Sequence, residues 1–138
     1  MGLSRGPRAG LSPRYLFVYG TLRRSFTNRH ARHLAEQATW MGEARVPGRL
    51  YNLGRYPGLL PPCGSEDWVI GEHYRLPATG PLLEVLDRFE GPDFARVAVL
   101  AHRAGRRAVK VWVYEYRGPV SRVERIVSGD YLNRPNLP

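Results

Sequence analysis

Lysine is nearly absent from this chain: of its 21 basic residues, 20 are arginine and Lys110 stands alone. Cysteine is as scarce, with Cys63 the single one. That excludes an intramolecular disulfide and any thiolate cluster able to hold a structural metal, and it suits a reducing, cytoplasmic setting. Cys63 lies in "LLPPCGSED", a Pro/Gly-rich stretch where no sequence cue pairs it with a base, so it reads as an ordinary loop thiol. Long hydrophobic runs are missing too. Nothing approaches the roughly 18 to 20 consecutive apolar residues of a membrane span, so a soluble protein with no membrane partner is expected. The opening "MGLSRGPRAGLSPR" has no continuous apolar segment, which argues against a secretory signal and reads as a mobile basic leader over residues 1–14.

What is present bounds the answer further. A chain of 138 residues with 43% hydrophobic content is enough for one domain with one core. A net charge of +9 raises the question of nucleic acid, because clustered cations release counterions from phosphates. The arginines are spread along the chain, however. The local groups, Arg23/Arg24 and Arg103/Arg106/Arg107, read as surface charge and do not form the basic stripe that a nucleic-acid interface requires.

The stretch "YLFVYGTLRRS" (15–25) predicts a fully buried strand that stops at a glycine. After it, "NRHARHLAEQA" predicts a short helix capped by Asn28, with His30 and His33 facing solvent because no further metal ligands are signalled nearby. "TWMGEARVPGRLYNLGRYPGLLPPCG" predicts a strand broken at Pro47-Gly48, a short strand over 49–53, and then an irregular loop. In "DWVIGEHYRLP", Val69, Gly71, His73 and Arg75 alternate with Trp68, Ile70, Glu72 and Tyr74. Neither face is uniformly wet, which suits a strand of a small barrel. "PLLEVLDRFEGP" is the clearest helix, with an apolar stripe of Leu82, Val85, Leu86 and Phe89 ended by Gly91-Pro92. "ARVAVLAHRAGRRAVKVWVYEY" predicts a hairpin turning at Ala104-Gly105. This order lacks the βαβ rhythm of a doubly wound sheet and predicts an α+β fold built on a small mixed β-barrel with a few short helices.

Glu90 stands out on physical grounds. It occupies the last turn of its helix, where the negative end of the macrodipole disfavours a carboxylate by about 0.3–1 kcal/mol. It also borders the apolar stripe, four residues after Leu86. Both features raise its pKa toward the range of a general acid/base. Two readings stand side by side: this one, and a carboxylate that is exposed or paired with a cation such as Arg96. Asp87 and Glu84, its neighbours, read as solvated. The strand end at Tyr19-Gly20-Thr21-Leu22 leaves successive N–H groups without a ladder partner, and such a turn can bind an oxyanion or carboxylate.

"FVYGTLRR", "LYNLGRYPGLLP", "LDRFEGPDFAR", "VWVYEY" and "SGDY", in this order, resemble the gamma-glutamylcyclotransferase-like (AIG2-like) family, in particular the gamma-glutamylamine cyclotransferases and small bacterial relatives. The resemblance runs from Tyr15 to Leu132 and sets a domain over 15–132 with a tail over 133–138. It implies a small barrel with a cavity at its mouth, in which the backbone of Tyr19, Gly20, Thr21 and Leu22 holds a gamma-glutamyl group and Glu90 is the catalytic acid/base. The implied reaction releases 5-oxoproline and a free amine from a gamma-glutamyl amine or related amide, with no metal or cofactor. Where family members often have Tyr-x-Arg after the glutamate, this chain has Phe94-Ala95-Arg96. Tyr56, Tyr114 and Tyr116 either line the exit side or fill the barrel. A noncatalytic protein binding a small anionic metabolite through the same loop is the alternative function.

Overall fold

The computed structural model describes residues 12–134; residues 1–11 of the expected leader and 135–138 of the expected tail lie outside them. The first strand, β1 (Tyr15–Val18), is buried after Tyr15. Successive strand side chains point to opposite faces, and here both faces are covered. Leu16 and Val18 pack with Leu34, Tyr74, Leu82 and Leu86, whereas Phe17 joins Val46, Val69, Val111 and Val113. This two-sided burial is why the run is continuously apolar instead of alternating.

Along the chain follow α1 (Arg29–Gln37), β2 (Thr39–Pro47), β3 (Arg49–Asn52), β4 (Pro57–Leu60), β5 (Trp68–Arg75), α2 (Leu82–Glu90), β6 (Phe94–Arg103), β7 (Arg106–Tyr116), the short β8 (Glu124–Arg125) and a 3-10 turn over Tyr131–Asn133. The strands β1, β5, β2, β6 and β7 are hydrogen-bonded in that order, and β7 pairs back onto β1 in parallel, Leu16 opposite Trp112, closing a five-stranded barrel. Strands β4, β3 and β8 extend the sheet from β7, with Leu59 opposite Glu115. β1 and β4 therefore share β7: β1 leaves after Val18, and β4 pairs nearer the C-terminal end of β7. The gap between them is where the residues after Val18 emerge. The fold is a small α+β barrel, as the order of elements predicts.

The hairpin is present, with β6 and β7 antiparallel from Phe94↔Tyr116 to Arg103↔Arg106. Asn28 caps α1, its Oδ1 accepting from the Ala31 N–H at 2.9 Å. Two expectations need correction. The Gly/Pro-rich stretch expected to be an irregular loop contains β4, because pairing with β3 (Arg49↔Leu60 to Asn52↔Pro57) and with β7 overrides local composition. Pro57 takes the first position of that strand, a place where proline is tolerated. Phe89, expected in the core stripe of α2, is 41% exposed while Leu82 and Leu86 are buried. Its ring instead stacks on His30 of α1, centroids 3.7 Å apart, so His30 is partly covered and not simply solvent-facing. No helix among the described residues is long and apolar enough to cross a membrane.

Candidate active site

The end of β1 is held in place by its own carbonyls and by one buried arginine. Gly20 O accepts from the Arg23 N–H at 3.0 Å, and Thr21 O accepts from Asn28 Nδ2 at 2.7 Å. The N–H groups of Gly20, Thr21 and Leu22 have no acceptor among the described residues. The loop is thus a run of free donors, with the Gly20 and Thr21 carbonyls already engaged, a surface suited to a ligand oxygen carrying negative charge. Gly20 is required here by packing: a Cβ on it would sit 2.6 and 2.7 Å from the Pro57 ring carbons. The Tyr19 side chain is not free for a ligand. It is 6% exposed, its hydroxyl donates to Tyr114 O at 2.7 Å, and it accepts from the Leu59 N–H at 3.2 Å, tying β1 to both β7 and β4.

Arg23, read from the sequence as a surface charge, is 3% exposed. Its Nε donates to Glu72 Oε2 at 2.9 Å and its Nη1 to Asp130 Oδ1 at 2.8 Å. Glu72 also accepts from the Arg24 N–H at 2.7 Å and from Trp40 Nε1 at 3.3 Å. A buried ion pair with its remaining lone pairs satisfied fixes geometry more than it adds stability, and what this one fixes is the chain immediately after the donor loop. The available signal in the sequence was Glu72, an acid in the middle of an apolar strand that demands a cation partner.

Opposite the loop, α2 ends at Glu90, followed by Gly91 with φ +83°, a conformation that glycine adopts without penalty. Tyr19 to Leu22, Tyr56, Phe89, Glu90, Phe94 and Tyr114 line one cavity of about 150 Å³. Among the described residues, no cation lies within 4.0 Å of the Glu90 carboxylate. Burial first, and then the charge of Asp87, push Glu90 from 4.5 up to about 7. The Arg96 pairing considered for Glu90 falls instead on Asp87.

Asp87 is a second correction, since it is not simply solvated. Arg96 Nε and Nη2 donate to its two carboxylate oxygens at 2.8 and 3.1 Å, and Tyr114 Oη donates to Oδ1 at 2.7 Å. Burial works to raise its pKa, but the bonds from Arg96 and Tyr114 outweigh it and leave the carboxyl below its ordinary value. Asp87 is therefore the fixed negative charge beside Glu90. Helix periodicity shows the two acids three residues apart on one side of α2, but the partners of Asp87 come from β6 and β7 and are invisible to it. Tyr114 itself is 4% exposed, with burial first and the Asp87 bond next raising its hydroxyl above the usual range. Of the remaining tyrosines, Tyr56 is 44% exposed and Tyr116 half-buried. Cys63 is exposed in its loop, as expected. Among the described residues no group of three or more His, Cys, Asp or Glu side chains is placed to hold a metal ion.

The chain and its fold have relatives among known proteins. Residues 16–133 match the family described as gamma-glutamyl cyclotransferase, AIG2-like. The gamma-glutamylcyclotransferase family protein YtfP of Escherichia coli strain K12 is 35% identical over 127 residues, covering 86% of this chain and 96% of that protein. The solution structure of Escherichia coli ytfP superposes with a TM-score of 0.62 over 87% of this chain and 97% of its own at 32% identity. An AIG2-like protein from Mus musculus does so at 0.62 with 26% identity, covering 78% and 80%. YkqA from Bacillus subtilis reaches 0.68 at 26% identity, and there this chain spans 87% of itself but 40% of the longer protein. Sequence likeness across the whole barrel and likeness of fold agree: the chain belongs to the gamma-glutamyl cyclotransferase, AIG2-like family.

Proposed function

We propose that this protein is a gamma-glutamyl cyclotransferase that converts a gamma-glutamyl amine or related gamma-glutamyl amide into 5-oxoproline and a free amine, with Glu90 as general acid/base. The observation that carries the reading is the position of Glu90: a carboxyl without a cation partner, raised to about 7, in the cavity also lined by Gly20, Thr21 and Leu22, whose N–H groups have no acceptor among the described residues. A group titrating near neutrality both accepts and returns a proton under working conditions.

In the reaction, the substrate's alpha-nitrogen attacks its own gamma-carbonyl carbon. One C–N bond forms to close the five-membered ring, and the amide C–N bond breaks. The attacking ammonium gives up two protons in all, and the departing nitrogen gains two, leaving as an ammonium ion. Ionised Glu90 takes a proton from the nucleophile and, once protonated, delivers one to the leaving group. The N–H donors of Gly20 to Leu22 hold the gamma-glutamyl group through its oxygens, favouring the folded conformer in which amine and carbonyl meet and stabilising the oxygen on which charge develops. The groups used in this scheme all belong to the chain and the substrate.

The test is incubation with gamma-glutamyl methylamide, gamma-glutamyl-phenylalanine and gamma-glutamyl-lysine, with 5-oxoproline as the readout. Time-dependent, enzyme-dependent formation of 5-oxoproline from at least one is expected. Saturable binding of these compounds with no product would leave a metabolite-binding protein and overturn the enzymatic reading.

A further inference from the structure

Part of the cavity lining is aromatic and open to water. The large apolar side chains exposed among the described residues are Trp40, Tyr56, Phe89, Leu100 and Val127, and two of these, Tyr56 at 44% and Phe89 at 41%, border this one cavity. Phe94 joins them as a lining residue. The rings form a supported wall. Tyr56 meets Phe94 edge-on at 5.9 Å, Phe94 leans on Tyr116 at 5.4 Å, and His30 stacks against Phe89 at 3.7 Å. Aromatic rings kept partly open to water at considerable cost in apolar exposure, yet held in fixed orientations by their neighbours, offer a preorganised face to another ring.

Charge narrows the occupant. No arginine or lysine lines the cavity, and its one ionisable acid is Glu90. Arg55 and Arg88 adjoin Tyr56 and Phe89 in sequence but are exposed and do not line it. If the leaving group is an alpha-amino acid, its carboxylate hangs on the carbon next to the departing nitrogen. That places it within a few ångströms of Glu90 with no side-chain cation to receive it, and like charges in such a site repel strongly. The loop donors are already occupied by the gamma-glutamyl group.

We infer that Tyr56, Phe89 and Phe94 form a leaving-group subsite selective for arylalkyl amines that lack a carboxylate beside the amine nitrogen. This rests on the cyclotransferase reading of the same cavity, and the ring closure proceeds with the bonds and protons set out above. The experiment compares gamma-glutamyl phenethylamide, gamma-glutamyl methylamide and gamma-glutamyl-phenylalanine. Two readouts are used: kcat/KM for 5-oxoproline release by the wild-type protein, and calorimetric affinity for Glu90→Gln. A ring packed into an apolar subsite gives roughly 10-fold or more in discrimination, so the phenethylamide should exceed the methylamide by at least about 10-fold. In the wild-type kcat/KM, where Glu90 keeps its charge, it should exceed gamma-glutamyl-phenylalanine, which differs only by the carboxylate, by a similar factor. Phe89→Ala and Tyr56→Ala, both at exposed positions, should draw the phenethylamide-to-methylamide ratio toward one.

Equal affinities for the phenethylamide and methylamide, a higher wild-type kcat/KM for gamma-glutamyl-phenylalanine, or an unchanged ratio in both alanine variants would each overturn the subsite. Ordered affinities without any 5-oxoproline would defeat the cyclotransferase reading while supporting the aromatic wall.

Discussion

Glu90→Gln keeps the shape of the side chain and removes its charge, so its effect on stability reports the cost of holding a carboxylate in this cavity. The sign follows from linkage. A carboxyl raised from 4.5 to about 7 in the folded protein binds its proton more tightly there than in the unfolded chain. Folding therefore bears no penalty from Glu90 below about pH 4.5. The penalty grows as pH rises between the two values and is complete above about 7. At 1.36 kcal/mol per pKa unit, the full rise corresponds to about 3 kcal/mol, and the negative C-terminal end of α2 acts in the same direction. Glutamine carries none of this. Urea unfolding of both proteins from pH 4 to pH 8 should show the variant more stable by up to about 3 kcal/mol at pH 8, with the two curves converging at pH 4. A difference that does not change with pH, or a variant less stable at pH 8, would refute the claim that Glu90 is held in a desolvated, unpaired state.

Asp87→Asn removes the fixed negative charge that helps raise Glu90. The acidic limb of the pH profile of kcat/KM should move to lower pH, and an unmoved limb would contradict the coupling. Arg23→Met leaves Glu72 and Asp130 without their shared guanidinium and should cost about 3–5 kcal/mol in urea unfolding, a penalty that Glu72→Gln in the same chain partly relieves. A loss below about 1 kcal/mol would show that Arg23 is not the anchor of this loop. Gly20→Ala forces the loop off the Pro57 ring and should cost about 1–3 kcal/mol together with a fall in turnover, measured on the same preparation. Unaltered stability would mean that the loop tolerates the added methyl group.

The barrel was legible where local pattern and tertiary demand coincide. Leu82 and Leu86 announce α2, the paired runs around Ala104-Gly105 announce the hairpin, and the unbroken apolar run of β1 announces a strand covered on both faces. The strained setting of Glu90, though not its role, was legible because a carboxylate at a helix C-terminus against an apolar stripe contradicts local preference. What escaped depends on partners distant in sequence. Arg23 meets Glu72 and Asp130, 49 and 107 positions away, and nothing in "GTLRRS" separates it from the exposed Arg24. Asp87 takes its partners from β6 and β7, β4 is a strand only because β3 and β7 flank it, and Phe89 belongs by spacing to the core but finds His30 of α1 instead.

The central claim is intramolecular aminolysis with Glu90 moving the proton, and a proton NMR time course with gamma-glutamyl methylamide tests it most directly, because 5-oxoproline, glutamate and methylamine give separate signals. The wild-type protein should produce 5-oxoproline and methylamine in equal amounts with no glutamate, and folded Glu90→Gln should do so about 100- to 10,000-fold more slowly. Glutamate in place of 5-oxoproline, or a folded Glu90→Gln protein that releases 5-oxoproline at the wild-type rate, would contradict it.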